Sequence, residues 1–164
     1  MRILGIDPGT AIMGFGLIES KGGRLSALKY GVWRTAADLP LEERLLSIFQ
    51  EMEACVDLYR PEEVAAEELF FNRNQTTAIS VGEARGVVLL AAARQGLPVY
   101  GYTPLQVKQA VVGYGRADKQ QIQFMVRAIL GLTETPKPDD AADALAVAVC
   151  HAHSRRPARQ ADGG

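Results

Sequence analysis

The sequence predicts an α/β domain, a five-stranded mixed sheet with an antiparallel edge and helices on both faces. Two observations carry this. The first 35 residues read as three strands joined by short turns, and the remainder alternates helix with strand. A third observation sets the scale: 164 residues without an internal repeat suit one core and leave no room for a second domain. The domain is expected to span residues 1–153, with 154–164 as a polar, disordered tail.

Each element has its own signal. Ile3, Leu4 and Ile6 form a short apolar run that Asp7-Pro8-Gly9 terminates, which gives a strand over residues 2–7 with Asp7 at its mouth. "GFGLIES" and "RLSALKYGVWRT" follow as strands, with Lys21-Gly22-Gly23 as a hairpin turn. Pro40 opens a helix to about Tyr59, in which Leu41, Leu45, Leu46, Ile48, Phe49, Met52 and Val56 recur at helical spacing until Arg60-Pro61. "EVAAEELF" is the fourth strand. "NRNQTTAISVGEARGVVLLAAARQG" is a helix with an Asn cap and Gly96 at its end. "LPVYGYT" is the fifth strand. Thr103-Pro104 starts a short helix to about Val112, "RADKQQIQFMVRAILG" gives another, and the last begins near Pro138 with "DDAADALAVAVCHAH".

Composition narrows the function classes. The hydrophobic content of 48% and charged content of 23% are those of a soluble protein. No apolar run approaches the roughly 20 residues of a membrane helix, and no charged leader precedes the first strand. Cys55 and Cys150 lack the paired spacing of a zinc site and read as reduced core thiols. These features predict a cytoplasmic protein with no membrane partner.

The net charge of −1 conceals a segregation. From Pro40 to Glu68 there are nine acidic residues against Arg44 and Arg60. From Asn72 to Gly131 seven basic residues (Arg73, Arg85, Arg94, Lys108, Arg116, Lys119, Arg127) face only Glu83 and Asp118. The middle segment either builds a basic face for a polyanion or presents ordinary solvated helices.

Three distant segments place acids at element ends. Asp7 either caps its own turn or faces a cleft. Glu67 and Glu68 are adjacent in an apolar strand, so only one can share a site with a given neighbour, and a strand end reaching solvent would also explain them. Asp139, Asp140 and Asp143 suit the positive end of a helix dipole, yet Asp140 and Asp143 are three apart and share a face. Carboxylates brought together in this way need a cation, and an all-oxygen set suits Mg²⁺. Pairs of such metals about 3.5–4 Å apart serve phosphodiester chemistry. His151 and His153 read as surface or helix-end residues rather than ligands.

The motifs "GIDPGT", "AAEELFF", "GEARGVVLLAA", "PLQVKQAVVGYGRADKQQIQFMV" and "DDAADALAVAVCHAH" occur in that order. With them the chain resembles, over nearly its whole length, the RuvC family of Holliday-junction resolvases, small bacterial endonucleases with a ribonuclease H-like fold. The resemblance selects among the acids. It implies Asp7, Glu67, Asp140 and Asp143 as the catalytic, metal-binding set and leaves Asp139 as an extra charge. It implies two Mg²⁺ per active site, with Mn²⁺ able to substitute, and hydrolysis without a covalent enzyme intermediate. Lys119 is then a catalytic residue that also contacts DNA near the scissile phosphate. Lys108 does the same or grips a nearby phosphate. Phe70 and Phe71 as a pair would ordinarily be core, but Phe70 matches a family aromatic that wedges between bases at the crossover, with Phe71 beside it. Arg73, Arg85 and Arg116 are candidate phosphate contacts on charge alone.

The family resemblance further implies a four-way junction as DNA substrate, a homodimer with one active site per strand, and a RuvA-RuvB branch-migration complex as partner. Small residues on the helix from about Asn74 to Arg94 (Ala84, Gly86, Ala91, Ala92, Ala93) suit either a dimer interface or core packing. Three rival readings meet obstacles. An ATPase or sugar kinase with the same Asp-x-Gly-Thr turn needs a second half that is absent here. The other short ribonuclease H-like nuclease family lacks the "QVKQ" and Lys119 segments. A non-catalytic junction-binding module should have lost acids, and all four are present.

Overall fold

In the computed structural model, which describes residues 1–68 and 75–155, ten elements follow one another. They are β1 (Arg2–Asp7), β2 (Ile12–Lys21), β3 (Arg24–Arg34), α1 (Leu41–Tyr59), β4 (Glu63–Glu67), α2 (Gln75–Arg94), β5 (Val99–Tyr102), α3 (Pro104–Val112), α4 (Lys119–Ile129) and α5 (Asp139–Ser154). The strands form one mixed sheet in the order β3-β2-β1-β4-β5. β1, β2 and β3 are antiparallel, whereas β4 and β5 join β1 in parallel. The hairpin turn falls at Gly22 and Gly23, whose φ of 59° and 78° only glycine adopts freely. The expected Asn cap of α2, Phe70, Phe71, Arg73 and nearly all of the tail lie outside the described residues.

Strand alternation sorts the core into two layers. Leu4, Ile6, Met13, Phe15, Leu17, Val64 and Ala66 face α1 and α2, where they meet Ile48, Met52, Val56, Ala84, Val88 and Ala91. Ile3, Ile18 and Ala65 face the other way, towards α3, α4 and α5. On that second face Gly5, Gly14 and Gly16 occupy the strand positions beneath α5. A methyl group on Gly5 would lie 2.9 Å from Ala148 Cβ, and one on Gly16 would lie 2.7 Å from a Leu145 methyl. Gly5 pairs with Gly16 across the β1–β2 ladder, so the sheet offers a floor without side chains. The alanine-rich α5 settles into it, buried from Ala141 to His151 except at Asp143.

The structure decides one open alternative, in favour of core packing, and changes two expectations. Ala84, Ala91 and Ala92 are fully buried in the core, so they build no interface; the exposed face of α2 carries Ile79, Gly86, Leu90 and Ala93 instead. The same helix, over Thr76–Arg94, is long and apolar enough by composition to cross a membrane, contrary to the expectation that no run comes near. Its inner face is spent on the protein core, and Glu83 and Arg85 interrupt it.

The second change is His151, which is 1% exposed. It lies one helical turn beyond Ala148 and so continues the buried stripe. Its Nε2 meets Glu63 Oε2 at 2.5 Å, its Nδ1 meets the Tyr102 hydroxyl at 2.6 Å, and Tyr100 stacks on the ring at 4.5 Å. Arg155 Nε donates to Glu63 Oε1 at 3.0 Å. Burial opposes the charge on Glu63, but the bonds from His151 and Arg155 prevail and hold its pKa below the ordinary value. Cys55 and Cys150 are buried free thiols, as expected.

Candidate active site

Asp7 ends β1 on the face that Gly5 presents to α5. The parallel register pairs Ile6 with Ala66, so the next step along both strands sets Asp7 beside Glu67. The adjacent Glu68 belongs to the opposite face. It lies over Gly101, where an added methyl would meet its Cγ at 2.8 Å, and its N–H bonds to Tyr102 O. On the other side of Asp7, across the β1–β2 ladder, stands Gly14, and a methyl there would press on the backbone of Asp140. The first turn of α5 therefore rests directly above the end of β1. Carboxylate oxygens of Asp7, Asp140 and Asp143 come within 4.8 Å of one another. Glu67 joins them through a hydrogen bond with Asp7.

The electrostatics follow from this crowding. Burial first, and then the charges of Glu67, Asp143 and Asp140, push the Asp7 pKa up to about 8. Burial likewise raises Asp143 to about 6, although Lys119 beside it pulls the other way. Three oxygen ligands gathered at the mouth of a strand, one of them forced to keep its proton, fit a hard divalent cation. Such an ion would remove the repulsion that the carboxylates impose on each other.

Lys119 is the first residue of α4. Its position is fixed by a reciprocal capping box: Asp118 Oδ1 accepts from Gln121 N at 2.8 Å, and Gln121 Oε1 accepts from Asp118 N at 2.8 Å. The ammonium lies 3.2 Å from Asp139 Oδ2 and 3.8 Å from Asp143 Oδ2. Desolvation disfavours its charge, but the bond to Asp139 and the charge of Asp143 outweigh that and hold its pKa above the ordinary value. Lys119 and Lys108 line, together with the four acids, one cavity of about 580 Å³.

The remaining candidates separate. Arg85 reaches the site's edge, where its Nε donates to Glu67 O at 3.3 Å and secures the end of β4. Arg116 is exposed on the turn before α4, outside the cavity lining. Arg94 belongs elsewhere: it pairs with Glu53 at 3.0 Å and lies over the Phe49 ring. Arg127 donates to Leu132 O. The basic middle segment thus contributes only part of its charge to the cavity.

One supporting residue escaped the sequence reading. Thr10 is buried; its Oγ1 donates to Ser80 O on α2 at 3.0 Å, and its carbonyl accepts from Thr35 Oγ1 at 2.6 Å. Arg44 Nε on α1 donates to that same Thr35 hydroxyl. The loop after Asp7 is thereby tied to α2, β3 and α1. The signal was present in the final Thr of "GIDPGT".

Known proteins match nearly the whole chain. The family model for "Crossover junction endodeoxyribonuclease RuvC" matches residues 3–151. A protein of that name from Desulfitobacterium hafniense (strain DSM 10664 / DCB-2) is 73% identical over 94% of this chain and 93% of its own length. One from Heliobacterium modesticaldum is 68% identical over 94% of this chain and 95% of its own. Among solved structures, Thermus thermophilus RuvC in complex with Holliday junction substrate superposes with a TM-score of 0.89 at 45% identity, covering 93% of each chain.

Proposed function

The chain belongs to the RuvC family of crossover junction endodeoxyribonucleases, and from that premise we propose that it resolves four-way DNA junctions in recombination and repair. The reaction is metal-dependent hydrolysis of one phosphodiester on each of two symmetric strands, leaving nicked duplexes. The observation that carries this reading is the meeting of Asp7, Asp140 and Asp143, from segments more than 130 residues apart in sequence, beside Glu67 and opposite Lys119.

Asp7, Glu67, Asp140 and Asp143 would hold the metal, Mg²⁺ with Mn²⁺ as a substitute, as a pair of ions. Bound there, the metal supplies Lewis acidity to the phosphate and a more acidic water. The protein's own groups do the rest. Asp7 gives up the proton it otherwise keeps, and Glu67, hydrogen-bonded to it, fixes its orientation. Lys119 keeps a full positive charge at the rim, where negative charge develops on the scissile phosphate. Lys108, on the α3 side of the cavity, grips the neighbouring backbone, and Arg85 holds the β4 carbonyl end in place. Phe70, Phe71, Arg73 and Arg116 remain proposed DNA contacts, Phe70 as the wedge.

Two cuts on a two-fold junction call for two active sites, and we place the homodimer contact on the exposed face of α2. Ile79 is 64% and Leu90 59% exposed there, while Gly86 leaves room for a close approach. A RuvA-RuvB branch-migration complex is the partner and the cytoplasm the location, both by family analogy. The single domain is taken to span residues 1–153.

The test uses a labelled synthetic four-way junction beside plain duplex and single strand, with and without Mg²⁺. Paired symmetric nicks in the junction alone, requiring Mg²⁺ and lost in Asp7→Asn, are expected. Junction binding with no cleavage under any metal would refute the endonuclease and leave a binding module.

A further inference from the structure

Asp139 stands outside the group of three acids that meet at the strand mouth, yet it makes the shorter of the two contacts to Lys119. Both of its oxygens are used. Oδ2 lies 3.2 Å from the Lys119 ammonium, and Oδ1 accepts from Gln123 Nε2 at 3.2 Å. Lys119 and Gln123 are four residues apart, hence on one face of α4, and Asp139 and Asp143 are four apart on α5. Two helix starts are therefore joined by one carboxylate. The ammonium sits between an acid that can ligate a metal and one that stands apart from the cluster.

We propose that Asp139 is a positioning residue, which holds Lys119 at the rim of the site and away from Asp143. The inference rests on the endonuclease reading above. Lys119 and a divalent cation compete for Asp143: when the cation is there, the ammonium must have another partner or leave for solvent. Asp139 is that partner. Being fixed by Gln123, it returns the ammonium to one place, close enough to reach a phosphate on the acids without neutralising them. Lacking Asp139, Lys119 has Asp143 as its remaining carboxylate contact and obstructs the ligand it should serve. An acid in the first turn of α5 also suits the helix dipole, and that role would act on stability without regard to Lys119.

The experiment is a double-mutant cycle on the full chain, read in two ways. In single-turnover junction cleavage at saturating enzyme, Asp139→Asn should slow the cut about three- to ten-fold while junction affinity without metal stays within about two-fold. Asp139→Glu should recover much of the rate. In a Lys119→Ala background the same Asp139→Asn change should have no further effect. The second readout needs neither metal nor activity. Amine labelling of the metal-free protein, mapped by mass spectrometry, should modify Lys119 about three-fold faster in Asp139→Asn than in the parent, because the amine loses the shorter of its two carboxylate contacts and keeps only the longer one to Asp143.

An equal loss of rate in the Lys119→Ala background would overturn the proposal, since Asp139 would then act as a charge or a helix cap. Unchanged labelling of Lys119 would overturn it as well. If the parent protein cut no junction at all, the endonuclease reading would fall. The labelling arm would still decide whether Asp139 governs Lys119.

Discussion

Replacing Gly14 by Ala inserts one methyl group between β2 and the first turn of α5. That methyl would stand 2.5 Å from the Asp140 carbonyl carbon and 3.2 Å from its Cβ, where ordinary contact begins at 3.4 Å. The Asp140 carbonyl oxygen lies closer still, so the helix start must retreat by at least 3.4 − 2.5 Å, or about 0.9 Å. It cannot do so by sliding as a body, because Leu145 is lodged over Gly16, and Ala148 over Gly5, further along. The first turn therefore tilts and takes Asp140 and Asp143 away from Asp7.

Overpacking of this kind costs about 1–3 kcal/mol, partly offset by the ~0.5–1 kcal/mol that Ala gains over Gly in backbone entropy. A net loss of about 0.5–2 kcal/mol lowers Tm by roughly 1–8 °C for a chain of this length. The reaction suffers more, because a misplacement of about 1 Å at reacting groups is worth on the order of 100-fold. The assay is single-turnover junction cleavage well below Tm, with metal binding followed by calorimetry. A cleavage rate down at least about 30-fold, with weakened metal binding and metal-free junction affinity unchanged, is expected. A folded Gly14→Ala protein with parental metal affinity and rate would refute the claim that this close approach sets the site.

Asp7→Asn should stabilise the metal-free protein at pH 8 while abolishing its stabilisation by metal. A folded-state pKa of about 8 against an ordinary 3.8 means that Asp7 favours folding fully below 3.8, and that this contribution is lost as pH rises through about 8. Asn removes that slope; thermal denaturation in chelator between pH 5 and 9 measures it, and a variant less stable than the parent at pH 8 contradicts it. Glu63→Ala leaves buried His151 without its carboxylate and should lower stability by about 3 kcal/mol. Because the Glu63 pKa is lowered, its contribution is present above the ordinary 4.5 and fades as pH falls through the folded value, so the parent–variant gap in Tm should close in acid. Glu63 lies at the far end of β4 from Glu67, so the cleavage rate at low temperature should not change. Leu90→Glu on the exposed face of α2 should turn a dimer into a monomer by light scattering; an unchanged mass would remove α2 from the interface.

Much of the fold was legible because its signals are local. The Gly-Gly turn, the apolar run closed by Asp-Pro-Gly, the Thr103-Pro104 cap and the alanine-rich last helix each declare their element from within a few residues. Alternation along β4 limits each neighbour to one of Glu67 and Glu68, the motif selected Glu67, and the structure places it beside Asp7. Burial is what the sequence left open for α2 and misjudged for His151. The small residues of α2 and the histidine near the end of α5 look alike in sequence whether they face the core or solvent. Only packing turned Ala84, Ala91, Ala92 and His151 inward.

By itself the sequence determined the elements, their order and the acids available at their ends, since hydrophobic period and turn chemistry are properties of neighbouring residues. Tertiary structure alone decided the meeting of those acids and its consequences. The register of β1 on β4 aligns Asp7 with Glu67, and the glycine floor lets α5 descend until Asp140 and Asp143 reach them. The raised pKa of Asp7 and the hold of Asp139 on Lys119 exist only once these segments touch. Charges interact through the space between them, and that distance is fixed by packing.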